Sequence, residues 1–135
     1  MTTNDWPQIY TDGSCLKNPG GAGGWAFTLL ENGEQWSMSG GDPCTTNNRM
    51  ELKAIIEALS FVQGDKYVIY TDSEITMKCA TGVYSRKSNK DLWEEYDIAL
   101  DGIKLHWIWI KAHSGNLYNE YVDRLAREEA KSVKK

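Results

Sequence analysis

The sequence predicts an α/β fold, a five-stranded mixed sheet with helices on both faces. Three observations carry that expectation. Short β-type runs fill the region before residue 40, the apolar spacing changes to helical period from Asn48, and strand-like runs are interleaved with helical ones from there on. At 135 residues, with 41% hydrophobic and 25% charged residues, the chain is long enough to bury a core of its own.

Gln8 to Thr11 is the first β-type run, and the glycine-rich stretch Gly20 to Gly24 leads into a second, Trp25 to Leu30. Asn32-Gly33 is a two-residue turn signal, so Glu34 to Ser39 should return antiparallel to the second strand. Met50, Leu52, Ala54, Ile55, Ala58, Leu59 and Val62 then form a helical stripe that stops before Gly64, with Asn47 or Asn48 as the expected N-cap. Tyr67 to Tyr70 reads as a buried strand. Ser73 to Ala80 and Asp91 to Leu100 read as helices, separated by Gly82 and the polar stretch Ser85 to Lys90. Leu105 to Ile110 is the fifth strand, and Tyr118 to Lys131 a closing helix. The order is β β β α β α α β α.

Composition narrows the class of function. No apolar run approaches the roughly 20 residues that span a bilayer, and Met1 to Asp5 shows neither the basic start nor the apolar stretch of a secretion signal, so a cytoplasmic protein is expected. Cys15, Cys44 and Cys79 are far apart and form no CxxC pair, which is the pattern of reduced thiols rather than of a disulfide framework or a zinc site. The net charge of −4 counts against an extensive basic face for phosphate.

Asp12 and Asp72 stand in near-identical settings, Tyr10-Thr11-Asp12 and Tyr70-Thr71-Asp72, at the expected ends of the first and fourth strands. Ligands of open α/β sheets bind at such ends. If the two strands are neighbours, the acids share one space, and two carboxylates ~4 Å apart repel by ~4 kcal/mol at an effective dielectric of ~20. A divalent cation relieves that repulsion, and an all-oxygen donor set favours Mg²⁺ or Mn²⁺. Each acid also has a plainer reading: Asp72 as the N-cap of the next helix, Glu51 as a solvated acid of a first helical turn, Asp123 as an ordinary helix residue.

Five blocks taken together resemble ribonuclease H of type 1 from Ile9 to Ala130. They are Tyr10-Thr11-Asp12-Gly13-Ser14-Cys15 with Asn18-Pro19-Gly20, Thr45-Thr46-Asn47-Asn48-Arg49-Met50-Glu51-Leu52, Tyr70-Thr71-Asp72-Ser73, Asp91-Leu92-Trp93, and Ile110-Lys111-Ala112-His113-Ser114-Gly115 with Asn119-Glu120 and Asp123-Arg124-Leu125-Ala126. The resemblance implies a ribonuclease H-like fold over a single catalytic domain, residues 1–135, with a frayed tail from Ser132 to Lys135. It implies a monomeric endonuclease that hydrolyses the RNA strand of RNA/DNA hybrids and leaves 5′-phosphate and 3′-hydroxyl ends.

In that family pattern Asp12, Glu51, Asp72 and Asp123 are catalytic acids holding two Mg²⁺ ions, with Mn²⁺ able to substitute, and His113 is a mobile residue assisting proton transfer or product release. Asn18, Asn47, Asn48 and Glu74, with the backbone around Cys15, fall at hybrid-binding positions, where short polar groups read 2′-hydroxyls across the minor groove. Many relatives carry Gln where this chain has Glu74, and an ionised Glu has no hydrogen to donate. Cys44 replaces an Arg that some relatives place near a phosphate. Several bacterial relatives insert an additional helix and a basic protrusion in the region Gly82 to Lys90, between the second and third helical runs, where only Arg86, Lys87 and Lys90 remain here, and Tyr84 is a candidate aromatic surface for the DNA strand. His106, between alternating strand residues, is expected to be structural. From another class of function, a silent hybrid-binding module is the alternative, although it leaves the four acids and the histidine without a purpose.

Overall fold

A computed structural model describes residues 5–134. Its elements are β1 (Gln8–Cys15), β2 (Gly23–Glu31), β3 (Glu34–Asp42), α1 (Asn47–Phe61), β4 (Lys66–Thr71), α2 (Glu74–Ala80), α3 (Lys90–Leu100), β5 (Lys104–Trp109) and α4 (Leu117–Val133). The strands form one sheet in the order β3-β2-β1-β4-β5. β1, β2 and β3 are antiparallel neighbours, whereas β4 runs parallel to β1 and β5 parallel to β4.

The β2–β3 hairpin closes where expected. Glu31 pairs with Glu34, and Asn32 and Gly33 both take positive φ, 54° and 78°, the requirement of a tight turn that matches strand twist. Along the sheet, alternate residues face opposite layers. Ile9, Phe27 and Ile69 point toward α1 and α3, where they pack with Leu52, Ile55, Trp93 and Tyr96 in the larger core. Tyr10 and Ala26 point the other way and meet Val122 and Ala126 of α4 in a smaller one. Gly24 permits the close seat of α4, because a Cβ there would lie 2.1 Å from the carbonyl oxygen of Ala126.

Several boundaries differ from the sequence expectation. β1 does not stop at Thr11 but continues to Cys15, because Asp12 to Cys15 stay paired with Ala26 to Gly23; Asp12 is therefore inside a strand. The N-cap of α1 is Thr46, whose hydroxyl accepts from the Arg49 N–H, rather than Asn47 or Asn48, which are the first two helical residues. Helix α4 runs through Ser132 and Val133, the first two residues of the tail expected to fray, while Lys135 and residues 1–4 lie outside the described residues. Between α2 and α3, residues 81–89 form no helix. No helix among the described residues is long and apolar enough to cross a membrane.

Candidate active site

The parallel ladder between β1 and β4 ends at Tyr10 and Tyr70, two residues before each aspartate. The two tyrosine rings stack with centroids 4.3 Å apart and planes within 4° of parallel, which locks the register of the strands at this point. Asp12 and Asp72 consequently reach the same level of the sheet. Equal spacing from a paired tyrosine is the local reason that two similar tripeptides deliver two acids to one place.

Glu51 arrives from the first turn of α1, which is pressed against β1 at Gly13. A Cβ on Gly13 would lie 2.3 Å from the Glu51 nitrogen, so a side chain there would push the helix and its carboxylate away. Asp12 and Glu51 are buried and Asp72 is half-buried. Each of the three offers a carboxylate oxygen within 4.8 Å of the others. Asp123, on α4, lines the same cleft of about 400 Å³ but stands outside that tight group. Its Oδ2 accepts from Arg127 one helical turn on, at 3.1 Å, which leaves one half-buried acid with a cation and the other three without.

Burial pushes the Asp12 carboxyl up to about 9, and the neighbouring Asp72 and Asp123 charges add to the shift, against a weaker opposing hydrogen bond from the Gly13 N–H. Burial likewise raises Glu51 well above the ordinary carboxylate range, with Asp12 and Asp72 contributing. Glu51 Oε1 is buried and has no hydrogen-bond partner among the described residues. An unpaired buried carboxylate oxygen is costly, and here it belongs to a group of acids that disfavour one another's charge. A hard divalent cation fits this donor set, since it takes oxygen ligands and supplies the missing positive charge. The plainer readings fail on position: Ser73, not Asp72, caps α2 through the Thr76 N–H, and Glu51 is not solvated.

Of the other residues singled out by sequence, Asn47 and Glu74 lie at the rim of the acid cleft. Glu74 is paired with Lys78 at 3.2 Å, so its carboxylate is already engaged. Asn18 uses Oδ1 to accept the Asn47 N–H at 3.0 Å and thereby ties its loop to the start of α1. The Cys15 thiol lies 3.1 Å from the Lys17 carbonyl oxygen, within the loop that follows β1. Asn48 instead lines a second hollow of about 200 Å³ with Tyr84, Arg86, Lys87 and Asn89. His113 is exposed, with φ of +56°, in the segment between β5 and α4; its neighbour Ala112 lines the cleft, and His113 does not. His106 is exposed on β5, and the three cysteines are free thiols.

Sequence reasoning passed over two contacts. Arg127 could have been found from its i+4 spacing to Asp123. Trp109, whose indole N–H donates to the backbone carbonyl of Asp72 at 3.2 Å, had no local signal, because 37 residues separate the pair.

The strand order, the helices on both faces and the acids where β1 and β4 part define a ribonuclease H-like α/β protein. A solved structure described as LC9-RNase H1, a type 1 RNase H with the type 2 active-site motif, superposes with a TM-score of 0.79 at 30% identity, covering 93% of this chain and 72% of that one. The chain belongs to the RNase H family, whose model matches residues 5–131. Among its relatives, a ribonuclease H of Ehrlichia ruminantium (strain Gardel) is 44% identical over 137 residues, covering 90% of this chain and 92% of the relative. A ribonuclease H of Chromobacterium violaceum is 37% identical over 148 residues, covering 98% and 100%.

Proposed function

We propose that this chain is a metal-dependent endonuclease that hydrolyses the RNA strand of RNA/DNA hybrids to 5′-phosphate and 3′-hydroxyl ends, using Asp12, Glu51, Asp72 and Asp123 to hold two Mg²⁺ ions. The observation that carries the reading is the unpaired Glu51 oxygen inside a three-carboxylate cluster, in a member of the RNase H family. When bound, such ions supply an activated water and stabilise charge on the leaving 3′ oxygen. Mn²⁺ shares the oxygen preference and serves as a substitute.

The chain's own residues divide the remaining work. Asp12 and Glu51 have their backbones held, one in a paired strand and the other in the first turn of a helix packed on the sheet, which limits the positions their carboxylates can take. Asp72 and Asp123 complete the set from the sheet end and from α4. Asn47 presents a neutral amide at the rim, suited to a 2′-hydroxyl or a base edge. Asn18, Cys15 and Asn48 extend the hybrid surface along the start of α1, and Glu74 accepts but does not donate. His113, on an exposed segment that borders the cleft through Ala112, assists proton transfer or product release.

We further propose that the chain acts as a cytoplasmic monomer and as one catalytic domain. The deciding experiment is cleavage of end-labelled RNA in an RNA/DNA hybrid, with and without Mg²⁺, beside RNA and DNA duplexes. Cutting confined to the hybrid and dependent on Mg²⁺ is expected. Metal-independent cutting, or equal cutting of duplex DNA, overturns the proposal.

A further inference from the structure

We infer that Trp109 is a positioning residue for Asp72: its indole N–H fixes the backbone that aims this carboxylate at the acid cluster and so sets how tightly the cleft takes a divalent cation. This role rests on the metal-binding reading of the cleft given above.

Asp72 is the acid with the least intrinsic support. Asp12 lies in a ladder and Glu51 in a helix, but Asp72 sits in the short connection between the end of β4 and the start of α2. β5 supplies the restraint that this connection lacks. Thr71 pairs with Trp109 at the last rung of the β4–β5 ladder, the Ile110 N–H donates to the Thr71 carbonyl at 2.8 Å, and Trp109 Nε1 donates to the Asp72 carbonyl at 3.2 Å. On the other side, the Ser73 N–H donates to Thr71 Oγ1, which is fully buried. Both carbonyls that flank the Asp72 peptide unit are thus held from β5, one by backbone and one by a side chain.

Packing does not account for a tryptophan at this position. Trp107, two residues earlier on the same face, packs against the larger core, whereas Trp109 is 45% exposed. A half-exposed ring gains little from burial, and its N–H has water as an alternative partner; what it gains here is a fixed bond to one peptide oxygen. For a carboxylate the consequence is geometric. Mg²⁺ demands near-ideal octahedral ligands at about 2.0–2.1 Å, so small displacements of a ligand reduce affinity. Trp109 also begins the segment that carries Ala112 and His113, so the same residue links the base of that loop to Asp72.

The test compares Mg²⁺ binding to the free wild-type protein, Trp109→Phe and Asp72→Asn by isothermal calorimetry, without substrate. Phe keeps an aromatic ring but removes the N–H together with the pyrrole part of the indole, so the unfolding temperature is measured beside the affinity. Trp109→Phe is expected to bind Mg²⁺ about fivefold more weakly, the effect of one net hydrogen bond. A merely structural role would lower the unfolding temperature in EDTA and leave the affinity unchanged, and unchanged affinity overturns the inference whatever the thermal shift. Asp72→Asn separates the two layers: if it binds Mg²⁺ like wild type, the metal reading and the role of Trp109 both fall, and if it loses binding while Trp109→Phe does not, only the role of Trp109 falls. Should Trp109→Phe not fold, the wild-type indole N–H signal in NMR decides. Slow hydrogen exchange and a shift on adding Mg²⁺ are expected; a freely exchanging signal that ignores Mg²⁺ overturns the assignment.

Discussion

At the acid cleft, Asp12, Glu51 and Asp72 crowd together with no paired cation among the described residues, whereas two acids of α3, Asp91 and Asp97, each have an arginine. Arg49 makes a two-pronged pair with Asp91, and its charge and hydrogen bonds hold that carboxyl down at about 2. Arg86 makes another with Asp97 while its guanidinium stacks 4.4 Å above Trp93. The difference shows two uses of charge. Along α3, arginines close internal pairs and are spent on the fold; at the cleft, like charges are left open, so the missing partner has to come from outside.

Removing one open charge has the largest expected effect. Asp72→Asn should abolish hybrid cleavage with the fold intact, measured as turnover in Mg²⁺ beside circular dichroism; activity above about a tenth of wild type would show that metal placement survives without this ligand. His113→Ala should act more mildly, lowering turnover by about 10² or less, because it assists a proton transfer rather than holding the cluster together. Complete loss or no change would each contradict that role.

Stability sharpens the contrast further. In the metal-free protein Asp12 has its carboxyl raised from 3.8 to about 9, so between those values the folded chain keeps a proton that the unfolded chain has released. The contribution of this site to stability is therefore fully present below about pH 4 and is lost as pH rises toward 9, with Glu51 adding in the same direction. Asp12→Asn should remove much of this slope and gain about 1–3 kcal/mol at neutral pH in EDTA, a figure reduced from the bare Coulomb value because the cleft admits water and salt. Excess Mg²⁺ should reverse the ranking by binding only the wild-type ligand set. Thermal unfolding of both proteins in EDTA and in Mg²⁺ checks this, and a mutant no more stable than wild type in EDTA would mean that Asp12 serves the turn at Gly13 instead.

The smallest effect concerns the paired cations. With Arg86 committed to Asp97 and Trp93, few cations are left for phosphate, so hybrid binding should be weak, worse than micromolar at physiological salt without metal, with a shallow log–log salt slope. Asp97→Ala should release Arg86 and steepen the slope by up to about 0.9, the contribution of one phosphate contact. An unchanged slope would mean that the stack on Trp93 alone keeps Arg86 away from the hybrid.

Sequence by itself determined the order of elements, the β2–β3 turn at Asn32-Gly33, and the five blocks that point to Asp12, Glu51, Asp72 and Asp123, because turns, helical stripes and motifs are encoded over a few neighbouring residues. It did not locate the Thr46 cap among four adjacent polar residues, since any of them offers a suitable side chain and only the backbone's extended conformation at Thr46 selects one. Nor did it show that β1 continues past Asp12, which depends on pairing with β2. Tertiary structure alone decided which charges are free: Arg86 appeared available for phosphate until Asp97 and Trp93 met it, and Glu51 could be read as solvated until α1 settled against Gly13. Burial, pairing and the bond from Trp109 to Asp72 join residues tens of positions apart, and such contacts exist only once the sheet has brought β1, β4 and β5 side by side.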